Sequence, residues 1–249
     1  HHAECAYIHD LRTLLFDKEH VGPWRRLEHL KRDGNLYPTH GLGPVAWYLD
    51  IHRGDRFERL VSMSSPSLGL QGYRDRALAG DDSRRQETYA CGDMNTSLLR
   101  TARGRTVVLQ HDVVSPRPYS RINMVSGTKG AFADYPARVF LDGQEEHEWR
   151  ELRQKDGRAP GGIEDRFEDP LWKRLAGPAE QGGHGGMDYV MNWRLVECLR
   201  EGLPPDMDVY DAAAWSAPAA LSEQSVAGGN VPVEFPDFTR GRWKGPTVL

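Results

Sequence analysis

The apolar positions of this chain change their period along its length, and the changes mark out elements. Across residues 40–52 (HGLGPVAWYLDIH), Val45, Trp47, Tyr48, Leu49 and Ile51 predict a helix, with Pro44 tolerable in its first turn. From about 56 to 142 the pattern shortens to that of strands. RTVVLQHDV at 105–113 is rich in β-branched residues and follows a Gly turn, YSRINMVSG at 119–127 is a second such run, and ARVFLDG at 137–143 ends on an Asp-Gly turn signal. Strands that follow one another without intervening helices predict an antiparallel sheet. Residues 1–36 show only short apolar pieces broken by charge, and 150–186 read as a long polar, Gly-rich connection. Helical spacing returns at 187–201, where Tyr189 or Val190, Trp193, Val196 or Cys198 and Leu199 share a face and Gly202 ends the run. Asp208 with Asp211 predicts the capped start of a last helical stretch. The expected fold class is α+β: one domain over 1–249, a largely antiparallel open sheet backed by helices, with its core in about 1–150 and 184–249 and a loop region over 150–183.

Composition narrows the function classes. With 32 basic and 36 acidic residues the formal charge is −4, and no half of the chain is strongly basic, which argues against a nucleic-acid partner. No run approaches the eighteen or so apolar residues of a membrane span, so no membrane partner is expected. Gly and Pro together supply about one residue in six, too many for a pure helical bundle. Cys5, Cys91 and Cys198 are far apart and without a CxxC pair, so they are expected to be buried thiols, and no metal site is expected.

No GxSxG, HExxH or P-loop is present, and Gly182-Gly183-His184-Gly185-Gly186 lacks both the preceding strand and the spacing of a dinucleotide fingerprint. Cofactor-binding residues are therefore not expected in this chain. What stands out is Tyr37-Pro38-Thr39-His40 at the mouth of the first predicted helix. A His there is either a capping residue beside a packed Tyr or a base kept neutral by the helix dipole. Arg25 beside Trp24 is either a surface stack or a fork for a polar substrate group. Tyr119, aimed by Pro118, is either a packed aromatic or a site residue. His9 and Asp10 are adjacent, so they are not expected to face each other. Glu145, Glu146 and Glu148 read as a solvated edge.

The segments HAECAYIHDLR, WRR, GNLYPTHGLGPVA, DIHRGDRF, HD…PRPYS, VSGTKG, DPLWK, GHGGMD, DMDVYDAAAWSA and VEFPDFTRGRWK occur in that order from residue 2 to about 245. Together they closely resemble the C-terminal domain of glycoside hydrolase family 109, the NAD-dependent α-N-acetylgalactosaminidases, within the glucose–fructose oxidoreductase and inositol dehydrogenase superfamily. Differences are a short loop at 17–22, a Gly-rich insertion near 156–163, and Ala6 where a Gly usually precedes the first Tyr. The resemblance implies a substrate domain whose N-terminal Rossmann partner, the main holder of NAD, is missing here, so that the chain alone is expected to be inactive. It implies a glycoside substrate contacted by Tyr7, Arg25, Tyr37, Pro38, Thr39, His40 and Tyr119, with His40 and Tyr7 the candidates for proton transfer. The implied reaction is oxidation at sugar C3, elimination across C2 and C1, water addition at C1 and return of the hydride to C3. An NAD-linked sugar dehydrogenase or epimerase of the same superfamily is the alternative, and an inactive truncated domain for binding or oligomerisation a third. A homo-oligomer formed through the sheet is expected. Any export signal would lie ahead of His1, which leaves the cytoplasm and the periplasm both open.

Overall fold

In a computed structural model, residues 1–17, 22–143, 147–152, 169–180 and 182–245 are described. Among them, nine strands form one sheet in the order β8-β7-β6-β5-β1-β4-β3-β2-β9. The strands are β1 His2–Ile8, β2 Phe57–Ser64, β3 Asn95–Thr101, β4 Thr106–Asp112, β5 Met124–Ser126, β6 Gly130–Ala133, β7 Arg138–Leu141, β8 Arg150–Glu151 and β9 Val233–Glu234. All neighbours run antiparallel except β1 and β4, which are parallel and pair Tyr7 with His111. The largely antiparallel sheet is thus present, with one parallel seam at its centre.

That seam explains why residues 1–36 looked shapeless. Ala3, Cys5, Ala6, Tyr7 and Ile8 are all buried, because β1 is covered on its sides by β4 and β5 and on one face by helix. A strand buried in this way loses the clean apolar–polar alternation that marks a half-exposed strand. Helices α1 (Arg12–Phe16) and α2 (Gly22–Lys31) follow it. Helix α3 (Thr39–Tyr48) lies across β1, with Leu42, Val45 and Ala46 packed on Ala3, Cys5, Leu60, Leu99 and Leu109. Gly41 sets their separation: a Cβ there would meet the Ala6 backbone at 2.8 Å.

Helix α4 (Gly69–Ala77) roofs a second apolar cluster of Tyr7, Leu11, Leu15, Phe16, Tyr89 and Val113. Helices α7 (Val209–Ser216) and α8 (Pro218–Ala227) complete the covered face of the sheet. Asp208 and Asp211 form the expected capping box. Pro218 opens α8, which divides the run expected as one.

Several expectations need correction. Pro44 lies well inside α3 rather than in its first turn, and tertiary packing of Leu42 and Val45 outweighs the loss of one helical hydrogen bond. The run at 119–127 is strand only over β5, because Ile122 and Asn123 take positive φ (60° and 47°) and bend the chain. The loop expected over 150–183 contains a helix, α5 (Pro170–Ala179). Its Asp169 carboxylate accepts from the Leu171 amide at 2.7 Å, and Pro170 occupies the first turn. Polar residues that resemble loop signals here are helix-start signals. Helix α6 (Met187–Glu201) ends at Gly202 (φ 67°) as expected, and of the residues expected to share a face only Cys198 is buried. Glu148 is exposed, whereas Glu145, Glu146, residues 18–21 of the short loop and residues 156–163 lie outside the described residues. All three cysteines are buried thiols. No helix among the described residues is long and apolar enough to cross a membrane.

Candidate functional site

The sheet brings together most of the residues picked from the sequence. Tyr7 stands near the C-terminal end of β1. Its ring centre is 4.8 Å from that of Tyr37, 5.1 Å from His40 and 6.2 Å from Tyr119. Tyr37 and His40 are 4.8 Å apart, which the turn Tyr37-Pro38-Thr39-His40 at the start of α3 makes possible. Pro38 is the N-cap residue of α3 and Thr39 its first helical residue, so both shape the turn. Tyr119 arrives from the other side. The Ile8 and Ser120 amides exchange hydrogen bonds of 3.0 Å with each other's carbonyls, laying the 117–123 loop along the end of β1.

Arg25, from α2, places its guanidinium between Trp24 (4.8 Å) and Tyr37 (4.7 Å). The surface stack and the site fork were alternatives on the sequence; in the fold Arg25 is stacked and also reaches the ring cluster.

Three further residues belong here. The Tyr7 hydroxyl is 3.2 Å from His9 Nδ1, and the His9 ring lies 5.0 Å from Tyr119. Arg121 Nε donates to the Tyr119 hydroxyl at 2.5 Å, and Tyr135 sits 5.7 Å from the Tyr119 ring. His9 and Arg121 each follow a site Tyr by two residues, and in extended chain that spacing puts side chains on one side. That spacing was the available signal. Asp10 turns away and binds Arg12 through both oxygens at 2.8 Å, so His9 and Asp10 do not pair.

The electrostatics favour neutral His and Tyr groups. Burial, then the positive charges of Arg121, Arg25 and His184, hold His40 below the ordinary imidazole value. Burial pushes the Tyr7 phenol up, partly offset by the charge of Arg25. Tyr135 is pushed up to about 12 by burial. At neutral pH the cluster therefore offers an unprotonated imidazole as proton acceptor and phenols as donors, framed by two guanidinium groups.

The Gly-rich strand-to-helix turn of a dinucleotide fingerprint is not seen at either place the chain could offer it. The parallel strand β1 runs into α1 through His9, Asp10 and Leu11 with no glycine, and residues 182–186 follow α5 rather than a strand.

With this geometry in place, relatives can be compared. The family described as Glycosyl hydrolase 109, C-terminal domain, matches residues 1–245. The chain belongs to glycosyl hydrolase family 109. A family 109 protein of Solibacter usitatus is 56% identical over 98% of this chain and 54% of its own length. One from Shewanella sp. (strain MR-4) is 51% identical over all of this chain and 54% of its own. The chain thus spans about half the length of the curated relatives it matches. In fold it is similar to an oxidoreductase domain protein from Kribbella flavida (TM-score 0.58, 15% identity, 95% of this chain and 59% of that one). It is likewise similar to levoglucosan dehydrogenase in complex with NADH and levoglucosan (TM-score 0.57, 16% identity, 95% and 59%). The family 109 domain therefore has the fold of oxidoreductases, and its candidate site lies at the C-terminal end of the central strand.

Proposed function

We propose that this family 109 chain is the sugar-binding wall of an NAD-dependent glycosidase that removes terminal α-N-acetylgalactosamine, by oxidation at C3, elimination across C2 and C1, addition of water at C1 and return of the hydride to C3. The observation that carries this reading is the convergence of Tyr7, Tyr37, His40 and Tyr119 beside Arg25. A direct displacement at C1 uses a pair of carboxylates as acid and nucleophile or base. An elimination needs instead a base at C2 and a donor for the departing oxygen, and His, Tyr and Arg suit those tasks. In this reading His40 and Tyr7 share the proton steps, while Arg25, Tyr37 and Tyr119, with the turn of Pro38 and Thr39, orient the sugar. No Gly-rich turn leads from β1 into α1, and residues 182–186 follow a helix, so no step at the cofactor is assigned to the described residues. Titration of this 249-residue chain with NAD+ is accordingly expected to show binding no tighter than millimolar; micromolar binding at one site would place a cofactor cradle here.

The test of the reaction uses a full-length family protein that carries these residues. A nitrophenyl α-N-acetylgalactosaminide is incubated without added NAD, and aglycone release is followed together with the absorbance of reduced cofactor. Release without net reduction is the expected result. Steady accumulation of reduced cofactor would instead identify a sugar dehydrogenase.

The open face of the sheet supports a second element of the proposal, a homo-oligomer formed through it. Met63 and Leu98 stand on that face 60% and 53% exposed. Sedimentation of the chain and of its Met63→Lys, Leu98→Lys variant tests this, with a monomeric parent the contrary result.

A further inference from the structure

Aromatic rings continue along the end of the sheet beyond the cluster around Tyr7. Strand β6 runs in the same direction as β1, since each is antiparallel to β5, so the turn after β6 reaches the same end of the sheet as Tyr7. Tyr135 stands on that turn. Its ring centre lies 5.7 Å from that of Tyr119, which in turn lies 6.2 Å from Tyr7. The series runs outward from a buried ring, Tyr7, to two open ones, Tyr119 at 37% exposure and Tyr135 at 39%. The two outer rings are inclined at 68°, so they make a corner rather than a stack.

The corner is held by backbone that ordinary side chains avoid. Tyr135 has φ 65°, and Ile122 and Asn123, directly after Arg121, have φ 60° and 47°. The two bends are tied together: the Asp134 amide donates to the Ile122 carbonyl at 3.4 Å, and the Asp134 carboxylate accepts from the Tyr135 amide at 2.6 Å. The ring hydroxyls are joined as well. Those of Tyr135 and Tyr119 are hydrogen-bonded to each other, and Arg121 Nε donates to the Tyr119 hydroxyl at 2.5 Å. Strained backbone persists where the surroundings fix it, and burial gives little reason for it at a tyrosine left this exposed.

Each outer ring offers an apolar face with a hydroxyl at its rim. A sugar ring matches that pattern, with C–H groups on its faces and hydroxyls around its edge. An anion would find the Arg121 guanidinium engaged with Tyr119 and the Asp134 carboxylate beside Tyr135. A hydrocarbon chain would strip water from the phenols and the guanidinium without replacing its hydrogen bonds. On the α2 side the cluster is closed by Arg25 against Tyr37, so a substituent of the bound sugar has its open course over Tyr119.

We propose that Tyr135, with the outer side of Tyr119, forms a leaving-group subsite that binds the sugar to which the N-acetylgalactosamine is attached, and that Tyr135 sets the preference for glycosides whose leaving group is itself a sugar. The proposal rests on the glycosidase reading of the ring cluster and extends the site by one sugar unit.

The test compares kcat/KM for methyl α-N-acetylgalactosaminide and for the disaccharide in which the same sugar is α-linked to galactose, in a full-length family protein carrying this chain. Both substrates release an alcohol, so the ratio of the two constants reads the second sugar. The parent is expected to favour the disaccharide by roughly 10-fold, Tyr135→Ala to abolish that preference, and Tyr135→Phe, which keeps the ring, to retain most of it. Should Tyr135→Ala fail to fold, Tyr135→Leu, which keeps bulk without a ring, is read in the same way. A parent that treats both substrates alike, or a ratio that survives the loss of the ring, overturns the subsite and leaves the glycosidase reading standing. If neither glycoside is cleaved, the glycosidase reading fails, and the subsite is judged by titrating the same protein with the disaccharide and with N-acetylgalactosamine. Tighter binding of the disaccharide that loss of the Tyr135 ring abolishes then upholds it, and equal or absent binding overturns it.

Discussion

The ring cluster and the α5–α6 arm are built on opposite principles. Around Tyr7 the chain supplies its own walls: β1 is flanked by β4 and β5, α3 sits directly on its backbone, and the rings of Tyr37, His40 and Tyr119 gather around that of Tyr7 from segments far from it in sequence. The arm is the reverse. Helix α6 is launched by His184, Gly185 and Gly186, all with positive φ, and it leaves Met191, Leu195, Val196 and Leu199 exposed beside a groove of about 640 Å³ lined by Trp47, Trp172 and Met207. Its buried apolar part is small, Leu175, Ala179 and Cys198, and polar ties add to it: Arg194 binds Asp206 at 2.9 Å and Arg174 of α5 lies 3.6 Å from Glu197. The difference teaches that this chain completes the interior around its candidate site, while leaving an apolar surface that none of its described residues covers. Mutations should therefore be felt strongly in the first region and weakly in the second.

The largest expected effect is at His40. In a full-length family protein His40→Ala should lower kcat/KM by roughly 10²–10⁴-fold with the fold intact. The parent profile should also stay level as pH passes below the ordinary imidazole value of 6.5 and fall only further down, because the neutral, active form persists there. A capping role alone would instead show as a stability loss of about 0.5–2 kcal/mol with turnover preserved.

Next in size, Gly41→Ala should destabilise the chain by about 1–3 kcal/mol in urea unfolding, since the new methyl group meets the Ala6 backbone at 2.8 Å and neither α3 nor β1 has room to retreat.

A smaller effect is pH-dependent. His111 is neutral when folded, with its value near 3, and titrates at about 6.5 when unfolded. Protons therefore bind the unfolded chain preferentially between those limits, so stability should be fully present above pH 6.5 and decline as pH falls toward 3. Urea midpoints measured from pH 7 to 4 should show a shallower decline for His111→Gln.

The smallest effect belongs to the arm. Leu199, 69% exposed, should tolerate Leu199→Ala within about 0.5 kcal/mol, and a loss near that of a core leucine would mean that the α6 surface is covered in solution.

The sequence by itself determined β4 and the Gly turn before it, α3, α6 and the capped start of α7, because each carries a local signal: a β-branched run beside a Gly turn, helical spacing, a Gly stop, an Asp pair. It also sufficed to identify the family, and through that to pick out Tyr7, Arg25, Tyr37, His40 and Tyr119 as candidates, which the fold brings together. Only the tertiary structure decided the rest. Strand β1 has no readable alternation because it is buried on nearly every side, and that burial comes from β4, β5 and α3, distant in sequence. His9 and Arg121 look ordinary until the 117–123 loop is hydrogen-bonded along the end of β1. His29 and His111 carry no shared motif, since their meeting depends on α2 packing against the end of β4. Local propensity acts over a few residues, whereas a site of this kind is made by contacts between segments whose approach no short stretch of sequence encodes.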